Sequence, residues 1–263
     1  MYLNNFFTLT SVLFFALFTA KAQDVQQRQP VMQPADILKN FDSYYIKYEY
    51  KYVKLSESYI AYDEKAHVIP KGQFLKNVSS GGYLPLRLKA ISGPLRYRLY
   101  KLPKSVDNDI RGRIVQLGQQ YEQYYKMEGR PLPNFNFTDL NGRKYNALTT
   151  KDKVLLLKCW YIGCTVCIQE MPRLNQLVKE YKNQPNVLFV SLAFDNKHQL
   201  NAFLRKTQFD YTTVPNMETY LMKELKIEMY PTHLIVKNGK IIKVMSDVNE
   251  LVSALHQQVP VKE

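Results

Sequence analysis

Two cysteines three residues apart, Cys164 and Cys167, stand between an apolar run and a segment of helical period. That junction restricts the fold more than any other feature. The run is Val154-Leu155-Leu156-Leu157, and the segment carries Met171, Leu174, Leu177, Val178 and Tyr181, a spacing that predicts a helix. Cys164 is therefore expected in a strand-to-helix turn, its sulfur near the helix N-terminus. There the unpaired N–H groups and the helix dipole favour a thiolate. Cys167 follows one turn on, within reach of a disulfide, so one sulfur can attack a partner and the other resolve the mixed disulfide. A lone pair at this spacing can also be half of a zinc site. The remaining cysteine is Cys159, and His67, His198, His233 and His256 are scattered with no H-x₃₋₅-H pair. Neither a metal nor a cofactor is expected.

A chain of 263 residues suits one large or two modest domains. Phe6 to Ala20 is apolar and uncharged, and Ala20-Lys21-Ala22 offers an A-x-A cleavage site, so residues 1–22 are expected to be a signal peptide. The run falls short of the ~20 apolar residues a spanning helix needs. Met1-Tyr2-Leu3-Asn4-Asn5 has no Lys or Arg, so an uncleaved anchor stays open. The expected location is exported, in the periplasm or cell envelope, with no stable membrane insertion unless the signal is retained. Three cysteines within nine residues are not the framework of a disulfide-stapled scaffold. A Cys pair in an exported chain points to work on the thiols or disulfides of other proteins. The formal charge of +13 is dispersed, with no run of five or six like charges. It reads as a solvated basic surface, with no nucleic-acid partner expected.

Residues 23–34 are Gln-rich and read as a flexible leader. Residues 35–128 form a first region, expected to be mostly helical and of unknown role. Ile37, Phe41, Tyr44, Tyr48 and Tyr52 predict one long helix, and Asp107 or Asn108 can cap a second carrying Ile110, Ile114, Leu117, Tyr121 and Tyr125. Leu95-Arg96-Tyr97-Arg98-Leu99 alternates like a strand but also fits a helix with Leu102; it is read as helix. The many tyrosines are expected chiefly in the core rather than on a peptide-binding face. Gly129-Arg130-Pro131-Leu132-Pro133 marks a boundary. Beyond it comes a hairpin around Asn141-Gly142. Strands near 153–160, 187–194, 212–214, 232–237 and 240–245 then alternate with helices over 165–182, 197–207, 218–225 and 247–257. This order argues an α/β sheet covered on both faces and ending in an antiparallel hairpin.

Residues 131–258 resemble a thioredoxin-fold domain of the TlpA/ResA type, the envelope thiol–disulfide oxidoreductases, in Bacteroidetes-like members with an N-terminal extension. The likeness rests on the hairpin Phe135-Asn136-Phe137 to Asn141-Gly142, on Trp160 ahead of the Cys pair, on Cys167-Ile168-Gln169-Glu170-Met171-Pro172, and on Met229-Tyr230-Pro231-Thr232. It implies a thioredoxin-like α/β fold: a central mixed sheet with helices on both faces and an N-terminal hairpin. It implies Cys164 as attacking thiolate and Cys167 as resolving thiol. It implies a cis Pro231, lying against Cys164 and presenting backbone to an extended substrate peptide, with Trp160 and Tyr230 in the same substrate-binding surroundings. Glu170 is either a carboxylate that modulates the thiols and relays protons, or an acid favourably placed in the first helical turns. Lys158 stands where thioredoxin has a buried acid. There it either tunes the thiols, pairing with Glu170, or snorkels to solvent. His233 is expected in the core or as a group that tunes the redox pair, and Cys159 as a small buried hydrophobe.

The function expected is exported thiol–disulfide exchange serving cell redox homeostasis, including reduction of the kind used in cytochrome maturation. The partners are protein thiols or disulfides and an upstream electron donor or acceptor. A thiol peroxidase is the alternative, yet its pattern needs Thr or Ser three before the reactive Cys, and Tyr161 is there. A binding or chaperone module dominated by the first region is a third class.

Overall fold

The computed structural model describes residues 29–90 and 92–261. The expected signal peptide and the leader as far as residue 28 lie outside the described residues. The chain divides into two compact units between Gln119 and Gln120.

The first unit carries short helices and a sheet. Pro34–Ile37 forms α1, a π-helical turn spans Ser43–Glu49, and Tyr50–Tyr52 (α2) continues it. The long helix expected from Ile37 is interrupted because the Asn40 side chain accepts the Ser43 N–H at 2.8 Å and starts a new helical segment. Strands β1 (Tyr59–Tyr62), β2 (Val68–Ile69), β3 (Tyr83–Arg87) and β4 (Leu95–Lys101) form a sheet in the order β2-β1-β4-β3, with β1 and β4 parallel. Leu95–Lys101 is thus a strand, which corrects the helix expected there. It lies between two partner strands, and its alternation buries Tyr97 and Leu99. Pairing on both edges overrides a local pattern that fitted either state.

Tyr44, Tyr48 and Tyr97 are core, whereas Tyr45 and Tyr50 are exposed, and the buried hydroxyls of Tyr48 and Tyr97 tie helix to strand. Tyr48 Oη donates to the Pro85 carbonyl and accepts from Arg87 N–H, both at 2.7 Å. Tyr97 Oη likewise bridges the Tyr52 carbonyl and the Lys54 N–H at 2.8 Å. Helix α3 (Lys71–Ser79) precedes β3, and α4 runs over Asn108–Met127. Asp107 caps α4, its carboxylate accepting the N–H groups of Asp109 and Ile110. A Cβ on Gly118 would come within 2.4 Å of Ser79 N and 2.6 Å of Ser79 Cα. Backbone cannot yield as a side chain can. Gly118→Ala is therefore expected to destabilise the protein by ~1–3 kcal/mol, despite alanine's roughly 1 kcal/mol advantage in a helix. A fall in denaturant midpoint at unchanged slope would show it.

The second unit begins with the last turns of α4. Residues 129–132 run beside a sheet edge, with Gly129 N–H donating to the Ile241 carbonyl at 2.7 Å and Leu132 N–H to Gly239 at 2.8 Å. The hairpin β5 (Asn136–Thr138) and β6 (Lys144–Asn146) follows. Asp139 organises its turn by accepting the N–H groups of Asn141 and Arg143, and Gly142 takes φ +85°. A five-stranded sheet is built from β7 (Val154–Trp160), β8 (Val187–Ala193), β9 (Thr212–Val214), β10 (Thr232–Lys237) and β11 (Lys240–Met245) in the order β11-β10-β7-β8-β9. β7 is central: it is parallel to β8, antiparallel to β10 and buried at every residue.

The expected helix over 165–182 is two helices, α5 (Thr165–Gln169) and α6 (Met171–Glu180). Pro172 has no N–H to continue the ladder, so the chain restarts there. Helices α7 (Lys197–Leu204) and α8 (Val248–Gln258) complete the unit, and a π-helical turn occupies Tyr220–Glu224. One apolar cluster joins Leu156, Leu174, Leu177, Ile235, Leu251 and Leu255, and a second surrounds the Cys pair. Among the described residues no helix is long and apolar enough to cross a membrane.

Candidate active site

The site lies where β7 hands over to α5. Cys164 and Cys167 form a disulfide. Cys164 is the N-cap of α5, and its sulfur accepts the Cys167 N–H at 3.2 Å. This is the placement expected from the strand–turn–helix pattern, and it puts the helix's partial positive charge on Cys164. Cys164 keeps 7% of its surface exposed, whereas Cys167 and Cys159 have none. Burial pushes the Cys159 thiol far up, despite the neighbouring Lys158. The turn is anchored from β8's end: Asp195 accepts the Ile162 N–H at 2.8 Å.

Strand alternation decides what lies beneath the disulfide. On β7, Lys158 and Cys159 point to opposite faces; on β10, His233 stands opposite Lys158 and Thr232 opposite Cys159. Lys158, Glu170 and His233 therefore converge on one face, all buried. The Lys158 ammonium pairs with Glu170 Oε1 and donates to the Cys167 carbonyl at 3.0 Å. His233 Nε2 stands 3.1 Å from Glu170 Oε1, at ion-pair distance but without hydrogen-bond alignment. Lys158 does not snorkel.

Burial by itself would raise the Glu170 carboxyl, but His233 and Lys158 outweigh it and hold the group below the usual carboxylate range. Burial works the other way on Lys158, pushing it down against the attraction of Glu170. With two acceptors on its ammonium, we take Lys158 as charged and the pair as an ion pair.

The Tyr230–Pro231 peptide is cis, as expected, and Pro231 is buried. Tyr230 packs on the cluster that contains Cys164. Its ring meets Tyr161 and Phe194 at centroid distances of 5.8 and 5.0 Å, and its hydroxyl donates to the Ile227 carbonyl at 2.8 Å. Val166, between the two cysteines, is 57% exposed. Trp160 needs a correction. It has no exposed surface and sits between Phe203 and Phe209, at 5.6 and 5.7 Å, so it cannot touch a substrate. Its side chain faces inward from the buried strand and supports the cysteine turn from within. Phe194 and the Asp195 clamp were not expected at the site; Asp195's place at a strand's C-terminal end was the available signal. Among the described residues, no group of three His, Cys, Asp or Glu side chains could hold a metal ion.

Comparison with known proteins adds the family. Residues 129–245 match the AhpC/TSA family. This segment is an AhpC/TSA-type thioredoxin-fold domain. Among curated relatives, the thiol-disulfide oxidoreductase ResA of Bacillus thuringiensis subsp. konkukian is 28% identical over 129 residues, covering 47% of this chain and 75% of the relative. The thioredoxin-like protein YneN of Bacillus subtilis is 28% identical over 47% of this chain and 76% of its own. A solved thioredoxin domain of a Bacteroides vulgatus thiol-disulfide oxidoreductase aligns at 19% identity and TM-score 0.46, over 50% of this chain and 97% of that one. A Bacteroides fragilis thiol-disulfide oxidoreductase aligns at 21% and 0.45, over 49% and 100%. The redox pair, the fold and the curated relatives agree that the chain is a thiol–disulfide oxidoreductase.

Proposed function

We propose that the protein is exported and exchanges electrons with thiols and disulfides of other envelope proteins, Cys164 attacking and Cys167 resolving. The observation that carries this reading is the asymmetry of the pair. Cys164 is at the helix N-cap and keeps exposed surface, and Cys167, one turn on, has none. In the reducing direction, the Cys164 thiolate attacks one sulfur of a substrate disulfide and displaces the other as thiolate. The Cys167 thiolate then attacks Cys164 Sγ and releases the second substrate thiolate. Two electrons leave the dithiol, protons from the medium neutralise the released thiolates, and an upstream dithiol must restore the pair. The oxidising direction is the reverse, so the partners' potentials set the net flow.

Tyr230 and the backbone at Pro231 are the proposed docking edge for an extended substrate segment. Glu170 is proposed to modulate the thiols and relay protons, with Lys158 and His233 tuning them from below. The 1–22 segment supports export, and the ResA relatives support thiol exchange as the chemistry.

Reduction of insulin by dithiothreitol, followed as turbidity, tests the reading. The protein is expected to accelerate it, and Cys164→Ala to remove the acceleration. Peroxide consumption with the same reductant is expected to stay at background. Peroxide turnover outpacing insulin reduction would instead favour a thiol peroxidase.

A further inference from the structure

The C-terminal turns of α4 reach the loop that carries Pro231 through one directed chain of hydrogen bonds. Gln120 Nε2 donates to Tyr124 Oη at 2.9 Å. Tyr124 Oη and Thr232 Oγ1 are 2.6 Å apart. Thr232 Oγ1 donates to the Met229 carbonyl at 2.6 Å. Each hydroxyl has one proton. Thr232 spends its proton on Met229, so Tyr124 must be the donor to Thr232. Every link then runs one way, from Gln120 to the Met229 carbonyl. Tyr124 is buried, which raises its pKa to about 12 and keeps it a donor at neutral pH. A second tie lies three residues earlier in the loop, where Gln123 Nε2 donates to the Lys226 carbonyl. The loop also bridges itself, Tyr230 Oη donating to the Ile227 carbonyl at 2.8 Å. Thr232 faces away from Lys158 and Glu170, since it pairs with Cys159 while His233 pairs with Lys158.

We propose that Tyr124 is a positioning residue for the substrate-docking edge at Tyr230–Pro231. It fixes the Met229 carbonyl, and with it the loop's backbone, in the conformation that a substrate strand meets beside Cys164. The inference rests on the docking role proposed for that loop. It also assigns a purpose to residues 120–128, which precede the segment that matches the thioredoxin-fold family. Freed of this tie, the loop would lose its preorganisation and substrate binding would bear the ordering cost. The chemistry at Cys164 would not change, because the tie touches neither sulfur.

The test is steady-state insulin reduction by the full chain carrying Tyr124→Phe, with the rate at which dithiothreitol reduces the Cys164–Cys167 disulfide measured in parallel. The expected result is a KM about five- to tenfold higher, the loss of one net hydrogen bond, with kcat and the dithiothreitol rate within about twofold of wild type. Thr232→Val cuts the chain from the other side and is expected to give the same KM. The double variant should be no worse than either single one, and Thr232→Ser, which keeps the hydroxyl, should restore KM. A Tyr124→Phe protein with wild-type KM overturns the inference while leaving the proposed function intact. Additive losses, or an equal fall in the dithiothreitol rate, would make the contact a general structural one and also overturn it. A wild-type protein that does not turn over insulin removes the proposed function and this inference together.

Discussion

Lys158→Met is expected to destabilise the folded protein by about 3–5 kcal/mol, the usual result of removing one partner of a buried ion pair. The reason is Glu170. It is buried, its carboxylate is held ionised by His233 and Lys158, and the ammonium is its closest partner. Without Lys158 the carboxylate is left facing His233 alone. The loss should be largely recovered in Lys158→Met/Glu170→Leu, which replaces the pair by apolar groups of similar size. A denaturation series on the two single variants and the double variant measures this. A single variant within about 0.5 kcal/mol of wild type would mean that the pair carries no stability.

The same pair sets an acid limb. The folded Glu170 pKa lies below its unfolded value of roughly 4.3, so its contribution is complete above that value and is lost as pH falls through the folded one. Glu170→Gln should flatten stability against pH below about 4. The tuning role proposed for Lys158 has its own test. Its ammonium donates to the Cys167 carbonyl, and under that proposal it favours a thiolate in the reduced protein. Lys158→Met is expected to move the pH midpoint of Cys164 alkylation upward and make the protein a better reductant, and Glu170→Gln to move the midpoint downward.

Alkylation of the reduced native protein should be strongly selective. Cys164 is the one cysteine of the three with exposed surface. It is also the one at a helix N-cap, where thiolate is favoured. Cys159 sits in the central strand with no exposure and a thiol pushed far up by burial. Its labelling has to wait for a large opening. With a global stability of at least about 5 kcal/mol, this means a rate at least about a thousandfold lower than for Cys164. Mass spectrometry of a short iodoacetamide pulse at neutral pH reads it directly. Equal labelling of the three cysteines would contradict both the site assignment and the burial of β7.

Much of the second unit is legible in the sequence. The strands at 232–237 and 240–245 and the short one at 212–214 fall at the expected positions. Apolar runs bounded by turn residues such as Asn238-Gly239 leave little choice of state or of ends. The first unit was less legible. Leu95–Lys101 fits two periods, and only its neighbours in the sheet select one. The break after Ile37 depends on one side chain, Asn40, which competes locally with the helix.

What the sequence by itself determined is the redox pair and its place at a strand-to-helix turn. Spacing, an apolar strand before and a helical period after are local facts, and they suffice to place Cys164 at the N-cap. The floor of the site was decided by tertiary structure. Lys158, Glu170 and His233 come from three separate places in the chain, and they meet because strand registry puts His233 opposite Lys158 and the junction of α5 and α6 brings Glu170 to both. Trp160 shows the same limit from the other side. The family resemblance implied a substrate contact for it, yet its place on the fully buried β7 puts it in the core. Tyr124 is 108 residues from Thr232. No local pattern carries that contact; it follows from α4 and β10 packing together, which sequence periodicity cannot specify.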